Sequence, residues 1–414
     1  MGAHHSPLQQ GQATTRELFI MFARLPSARK AVARIFALMS IFWLAACDPL
    51  ALVGAGENRG QRIDPNAPVQ VALLVPGGSG AGTDSLLASN LENAARMAMA
   101  EQQGVTIDLR VYNTGADPVR AASVATQAVN EGAKIILGPL FGQAANAAGV
   151  AVSERNVNVL AFTNNTAFAG GNVFVLGATF ENTANRLVQY AGRKGVNRYT
   201  IIHSDTVPGE AGRDAIASAV TQNGSAVASI ESYPLSQQGI VSSASRIAAS
   251  AKANGANGVF MTAGADAEVP IIATALPEAG LNPATTQYIG LTRWNAAPQN
   301  LAVPGLQGGL FALPDQNAKN AFDSRYTATY GKQPHPLAGL AYDGIKAIGT
   351  LVARGNANAL TSQALTTPQG FQGATGAFRL LPNGRNQRGL AVATVRNNQT
   401  VILEPAQRGF GAGL

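Results

Sequence analysis

The sequence predicts an α/β protein with two lobes, each built on a doubly wound and mostly parallel sheet. Its 414 residues are enough for about two domains. Short apolar runs alternate along the chain with longer segments of helical periodicity, a pattern typical of sheets covered by helices on both faces. Near the end, Asn383-Gly384 and Asn397-Asn398 separate short apolar runs, which predicts closing hairpins.

The charge of the chain argues against a nucleic-acid partner. Charged residues make up 13% of the sequence, compared with roughly 25% in typical soluble domains. Of the formal charge of +7, residues 1–46 carry +4, which leaves +3 for all the rest. The sequence contains no Lys/Arg run interleaved with aromatic residues, so no nucleic-acid partner is expected.

The first 46 residues predict a targeting signal. Basic residues between Arg24 and Arg34 precede the apolar stretch Ile35–Ala46, which is too short to span a bilayer comfortably. The stretch ends in Leu44-Ala45-Ala46-Cys47, an order that resembles a bacterial lipobox, in which the cysteine is acylated. The prediction is a lipoprotein signal peptide, with a lipid anchor at Cys47 on a bacterial membrane. Asp48 follows the cysteine, and the choice between inner and outer membrane stays open.

Residues 47–68 are rich in Gly, Pro and Asn and lack periodicity, so they are predicted to form a flexible tether. Cys47 is the only cysteine, which excludes a disulfide framework or a thiol nucleophile in the part that follows. A start at Met21 would give a leader of more usual length than a start at Met1.

The clearest folding unit lies in residues 134–166. The apolar run Lys134–Leu137 ends at Gly138-Pro139, a small-residue helix covers Gln143–Glu154, and a second apolar run, Val157–Phe162, ends in a polar turn. This order predicts a βαβ unit. Its polar turns follow the carboxyl ends of strands, where open α/β sheets place ligands.

The same periodicity predicts the other elements. The remaining strands of the first half are expected at Val69–Val75, Ile107–Tyr112 and Val173–Leu176, and its other helices at Asp84–Glu101 and Asp117–Asn130. In the second half, strands are expected at Tyr199–His203, Val227–Tyr233, Gly258–Met261, Tyr288–Leu291, Leu310–Leu313, Leu390–Val395 and Thr400–Leu403. Helices are expected at Asn182–Arg193, Gly209–Gln222, Val241–Ala253, Ala267–Glu278, Asn317–Tyr330 and Leu337–Ala353.

Two motifs resemble those of a known superfamily. They are Gly138-Pro139-Leu140 followed by a small-residue helix, strand and polar turn, and Phe371-x-Gly373-x-x-Gly376 followed by Asn383-Gly384. Both resemble type I periplasmic binding proteins, which include branched-chain amino-acid receptors and penicillin-binding protein activators. The resemblance covers about residues 69–403.

The resemblance implies two Rossmann-like lobes joined by three crossovers, near residues 178–182, 312–336 and 368–378. It assigns residues 69–179 and 335–370 to the first lobe, and residues 180–334 and 371–414 to the second.

The resemblance also implies a ligand site in the cleft between the lobes. Carried over by motif, its residues are Gly142, Gln143, Asn164, Asn165, Thr166, Ser204, Asp205, Arg293 and Trp294. Amino-acid receptors of this type commonly place an acidic residue after a second-lobe strand to pair with the ligand ammonium. Here that position reads Thr292-Arg293-Trp294, so a neutral amino acid is disfavoured. Arg293 favours an anionic ligand or a salt bridge between the lobes.

Enzymatic chemistry has no support in the sequence. It contains no G-x-S-x-G, H-E-x-x-H or G-x-x-x-x-G-K-[ST] motif. After Cys47 only His203 and His335 remain, too few histidines for a typical zinc site. A non-enzymatic protein without metal or cofactor is expected.

Two function classes remain. The first, favoured by the missing ammonium partner, is a lipid-anchored periplasmic adaptor that activates a penicillin-binding protein, a peptidoglycan synthase. The second is the solute-binding receptor of an ABC importer, with a permease as partner and an amino acid or another small, even anionic, ligand in the cleft.

Overall fold

A computed structural model describes residues 59–411. The predicted lipobox cysteine, Cys47, lies outside these residues. The strands are β1 Val69–Val75, β2 Ile107–Asn113, β3 Ile135–Leu137, β4 Asn158–Ala161, β5 Val173–Val175, β6 Arg198–Ser204, β7 Ala226–Tyr233, β8 Gly258–Met261, β9 Gln287–Gly290, β10 Leu310–Pro314, β11 Phe371–Gly373, β12 Gly376–Leu380, β13 Asn386–Arg388, β14 Leu390–Arg396 and β15 Gln399–Glu404.

The helices alternate with these strands. They are α1 Gly82–Ala100, α2 Pro118–Asn130, α3 Gly142–Val152, α4 Phe180–Arg193, α5 Val207–Gln222, α6 Gln237–Ala253, α7 Glu268–Glu278, α8 Gln316–Tyr330, α9 Gly339–Val352 and α10 Ser362–Leu365. The predicted elements are confirmed to within a few residues at each end. No helix between residues 59 and 411 combines the length and apolar character needed to cross a membrane.

The first lobe contains a five-stranded parallel sheet in the order β2-β1-β3-β4-β5. Alternate residues of β1 enter different cores. Leu73 packs with α1 and α9 on one face of the sheet, and Leu74 packs with alanines of α2 and α3 on the other. Burial on both faces explains why this strand is an almost unbroken apolar run.

The second lobe contains a seven-stranded sheet in the order β15-β14-β10-β9-β8-β6-β7. Strands β6 to β10 are parallel, and β14 and β15 add an antiparallel hairpin at one edge. Met261 of β8 packs on the face covered by α6 and α7, whereas its neighbour Phe260 packs on the face covered by α4 and α5. The predicted two-lobed fold is confirmed.

The lobe boundaries predicted from the sequence need correction. Helix α8, assigned to the second lobe, packs Phe322 and Tyr326 into the core of the first lobe. Strands β11 and β12 also pack Phe371 and Phe378 into that core. The second crossover therefore lies between β10 and α8, and the third lies near residue 389, between β13 and β14. Tertiary packing of these aromatic rings, rather than position in the chain, decides the lobe to which each segment belongs.

A buried ion pair holds the crossover region together. The Arg388 guanidinium lies 2.9 Å from Oδ2 of Asp343, and both side chains are almost completely buried. Arg388 also donates to the carbonyl oxygen of Leu176 at the first crossover. Oδ1 of Asp343 accepts from the backbone N–H of Ala374 at 2.6 Å. Burial raises the pKa of Asp343, and the neighbouring Arg388 opposes that rise.

Candidate functional site

The first-lobe part of the predicted site lies where β3 and β4 end. Gly142 is the first residue of α3, and a Cβ placed on it would lie 2.4 Å from the Phe168 ring and 3.4 Å from Oγ1 of Thr163. The two loops are therefore packed against each other, and only glycine fits at residue 142. No side chain caps the first turn of α3, so the N–H groups at the start of this helix have no side-chain acceptor.

The other first-lobe residues divide into two groups. Asn165 is engaged within its own turn, because its Oδ1 accepts from the Ala167 N–H at 2.9 Å. Thr166 donates through Oγ1 to Oε1 of Glu181 at 2.6 Å. Gln143 and Asn164 are exposed, and their side chains form no hydrogen bond with any described residue. Gln143 and Asn164 therefore retain polar groups that are available to a ligand.

In the second lobe, the loop after β6 holds Ser204 and Asp205. Ser204 is buried, with its Oγ 2.9 Å from Oγ1 of Thr206, the residue that caps α5. Asp205 is exposed, and its Oδ1 accepts from the Leu235 N–H at 3.1 Å. The carboxylate of Asp205 is therefore fixed in position while it remains open to solvent.

The two predicted residues of the loop after β9 lie in different environments. Arg293 is exposed, and within residues 59–411 no carboxylate lies within salt-bridge distance of it. The interlobe salt bridge considered for Arg293 is therefore not formed among the described residues. Trp294 is fully buried, with its ring centroid 5.6 Å from that of Phe311 in the second-lobe core. The prediction that Trp294 lines the cleft is wrong, because its ring has no face open to a ligand.

Sequence reasoning missed an acidic residue in the second lobe. Glu268 is the first residue of α7, and its Oε1 accepts from the Gly264 N–H, just after β8, at 3.0 Å. Its Oε2 accepts from the hydroxyl of Tyr233, a buried residue at the end of β7. Burial and then the neighbouring Glu268 raise the pKa of the Tyr233 phenol, which stays protonated and donates. In the sequence, Glu268 is marked only by its position, because it is a glutamate that closely follows the turn after β8.

The residues between 59 and 411 contain no cluster of three or more His, Cys, Asp or Glu side chains suited to a metal ion. The arrangement instead offers hydrogen bonds and charges at the carboxyl ends of parallel strands in the two sheets. Such an arrangement can bind a small polar solute.

A family model described as periplasmic binding protein matches residues 68–400, which span both lobes. The chain belongs to the periplasmic binding protein family. Membership implies a protein of the periplasm.

Solved structures share the fold of this periplasmic binding protein. One, from Rhodospirillum rubrum and described as a branched-chain amino acid ABC transporter, has a TM-score of 0.67 at 17% identity, covering 81% of this chain and 100% of its own. A branched-chain amino acid ABC transporter periplasmic ligand-binding protein from Burkholderia xenovorans has a TM-score of 0.61 at 19% identity, covering 82% and 94%.

A third is an ABC transporter substrate-binding protein from Desulfitobacterium hafniense in complex with Leu. It has a TM-score of 0.57 at 17% identity, covering 81% of this chain and 100% of its own. At these identities the likeness shows the fold alone. No curated protein sequence matches this periplasmic binding protein.

Proposed function

We propose that this periplasmic binding protein is the solute-binding receptor of an ABC importer, with an amino acid as ligand and a permease as partner. The observation that carries the proposal is the family match across both lobes, residues 68–400. Solved proteins of the same fold, described as amino acid ABC transporter components, support it. The function favoured by the sequence alone, an adaptor of a peptidoglycan synthase, rested on the missing ammonium partner and has no support in the comparisons.

The geometry offers a place for each charged group of an amino acid. The uncapped first turn of α3 presents N–H groups and the positive end of a helix dipole, which suit a carboxylate. Glu268 and Asp205 provide carboxylates on the second lobe, which suit an ammonium. Glu268 is the better candidate because Tyr233 and Gly264 hold both of its oxygens in place.

The proposed lipid anchor at Cys47 fits this function. A receptor tethered to the membrane stays at high local concentration near its permease. We propose that the anchor holds the receptor at the periplasmic surface of the membrane.

Thermal unfolding with a panel of amino acids tests the proposal. A ligand at a hundredfold excess over Kd should stabilise the native state by about 2.7 kcal/mol. Leucine, isoleucine and valine are the first candidates, and crosslinking should capture a permease.

Matched variants on one helix test the assigned ammonium partner. Glu268→Gln should weaken binding roughly ten- to a hundredfold, the equivalent of a charged hydrogen bond. Glu278→Gln makes the same change at an exposed residue at the other end of α7 and should have no effect. If no member of the panel stabilises the protein and crosslinking captures a peptidoglycan synthase, the receptor reading is wrong. Binding that survives Glu268→Gln would refute only the role of Glu268.

A further inference from the structure

A polar cavity of about 490 Å³ lies beside the crossovers and shares only Thr166 with the predicted ligand site. It is bounded by α4, by the β12–β13 hairpin and by residues 407–411 of the tail. Of the residues predicted to bind ligand, only Thr166 lines it, whereas Gly142, Ser204 and Arg293 do not. We call this cavity the hinge groove.

The first wall of the hinge groove is one face of α4. Asn182, Asn185, Arg186 and Gln189 line it, and their spacing of i, i+3, i+4 and i+7 places them on the same side of a helix. This face is entirely polar, although α4 buries its opposite face in the core of the second lobe. The groove therefore has no apolar floor on this side for a hydrophobic ligand.

The second wall is one face of the β12–β13 hairpin. Arg379 lies directly opposite Gln387 in the strand register. Arg385 precedes Gln387 by two residues and so shares its face. Asn386, which lies between them, and Arg388, which follows Gln387, are buried. One hairpin thus presents two guanidinium groups and an amide to the groove.

Three of the amides that line the groove have NH₂ groups that are not used within the described residues. The side-chain oxygen of Asn185 accepts from Asn223, that of Asn383 accepts from the Arg385 N–H, and that of Gln387 accepts from Arg379. The NH₂ groups of Asn185, Asn383 and Gln387 have no acceptor among the described residues. Since their oxygens are occupied and their NH₂ groups are free, these amides favour a ligand rich in acceptors.

The charges of the residues that line the groove also favour a ligand rich in acceptors. Arg186 is paired with Glu404 at 2.8 Å and Arg388 with Asp343 at 2.9 Å, so both are neutralised. Arg379 and Arg385 have no carboxylate within salt-bridge distance in residues 59–411. Glu181 is the one carboxylate among the described lining residues, and it accepts from Thr166. The groove therefore carries an excess of positive charge.

We propose that the hinge groove is a second binding site, which takes a small oxyanion bearing carboxylate or phosphate groups. Guanidinium groups bind both kinds of oxyanion through paired N–H donors. Arg385 and Gln387 provide the main contacts, because both are exposed on the same face and both have unused donors.

Isothermal titration with inorganic phosphate and with citrate, at constant ionic strength, tests the proposal on the full chain. At least one of the two should bind, and the one that binds identifies the group as phosphate or carboxylate. Arg385→Gln should weaken binding roughly tenfold or more, because it removes a charged bidentate donor. Gln387→Glu should abolish binding, since it places a carboxylate against the anion.

Two arginine controls separate the groove from the rest of the surface. Arg396→Gln removes the same charge at an exposed residue outside the groove and should leave Kd unchanged. Arg293→Gln in the cleft loop should also leave it unchanged. The proposal is overturned if neither anion binds, if binding survives Arg385→Gln and Gln387→Glu, or if Arg293→Gln abolishes it. Amino-acid binding should persist in Arg385→Gln, so this test is independent of the proposed receptor function.

Discussion

Replacing Arg388 by methionine should be among the most damaging single changes in the crossover region. The substitution keeps a long side chain but removes the guanidinium that lies 2.9 Å from Asp343. It also removes the donors to the Leu176 carbonyl oxygen and the cation that lies 5.2 Å from the Phe378 ring centroid. Helix α9, the loop after β5 and strand β12 therefore lose a shared partner at once.

The expected cost follows from burial. Asp343 is 1% exposed, so without Arg388 its carboxylate is a buried charge with only the Ala374 N–H as a donor. Removing one partner of a buried ion pair typically costs about 3–5 kcal/mol of unfolding free energy. A surface arginine replaced in the same way changes stability by roughly 0.5 kcal/mol or less.

Urea denaturation measures the effect. Arg388→Met should lower the unfolding free energy by about 3–5 kcal/mol, whereas Arg396→Met, at an exposed residue, should not lower it measurably. The double variant with Asp343→Leu should recover most of the loss, because no unpaired charge then remains buried. A loss below about 1 kcal/mol for Arg388→Met would refute the reasoning.

The same variant has a predicted pH dependence. Burial raises the pKa of Asp343, and Arg388→Met removes the charge that opposes this rise. A carboxyl whose pKa is higher in the folded state stabilises folding when protonated, and this contribution is lost as pH rises through the folded pKa. The deficit of Arg388→Met relative to wild type should therefore shrink as the pH is lowered from neutral. A deficit that grows as the pH falls would contradict the assignment.

Two further predictions concern the cleft and the leader. Gly142→Ala should destabilise the protein by about 1–3 kcal/mol in urea denaturation, because its Cβ would overlap the Phe168 ring. Gly192→Ala in α4 is the control, because nothing lies within 4 Å of the new Cβ. It should be neutral or stabilising by up to about 1 kcal/mol. Equal losses of stability in the two variants would contradict the prediction. Cys47→Ser should abolish metabolic labelling with a fatty acid, whereas equal labelling of both forms would exclude the anchor.

The turns near the end of the chain show what local sequence can decide. Asn397 and Asn398 both adopt positive φ, at 51° and 62°, and join β14 to β15 as an antiparallel hairpin. Asparagine tolerates this left-handed conformation better than most residues. The turn is therefore specified by the two residues that form it. The same holds for the strands and helices, whose periodicity reflects burial of one or both faces.

The candidate site was predictable only in part. Loops after strands could be located, because parallel strands end at a common edge of the sheet. Whether a residue in such a loop faces solvent depends on what packs against it. Trp294 is in the core because Phe311, on a neighbouring strand, packs against it, and Glu268 is positioned by Tyr233, which lies 35 residues away.

The sequence by itself determined the α/β class, the order of the elements and the turns that separate them. It did so because hydrophobic periodicity and turn chemistry involve residues close together in the chain. Only the tertiary structure decided that α8 packs on the first lobe, that Asp343 pairs with Arg388 across 45 residues, and that unpaired donors meet in the hinge groove. These depend on contacts between distant segments, whose partners no local pattern specifies.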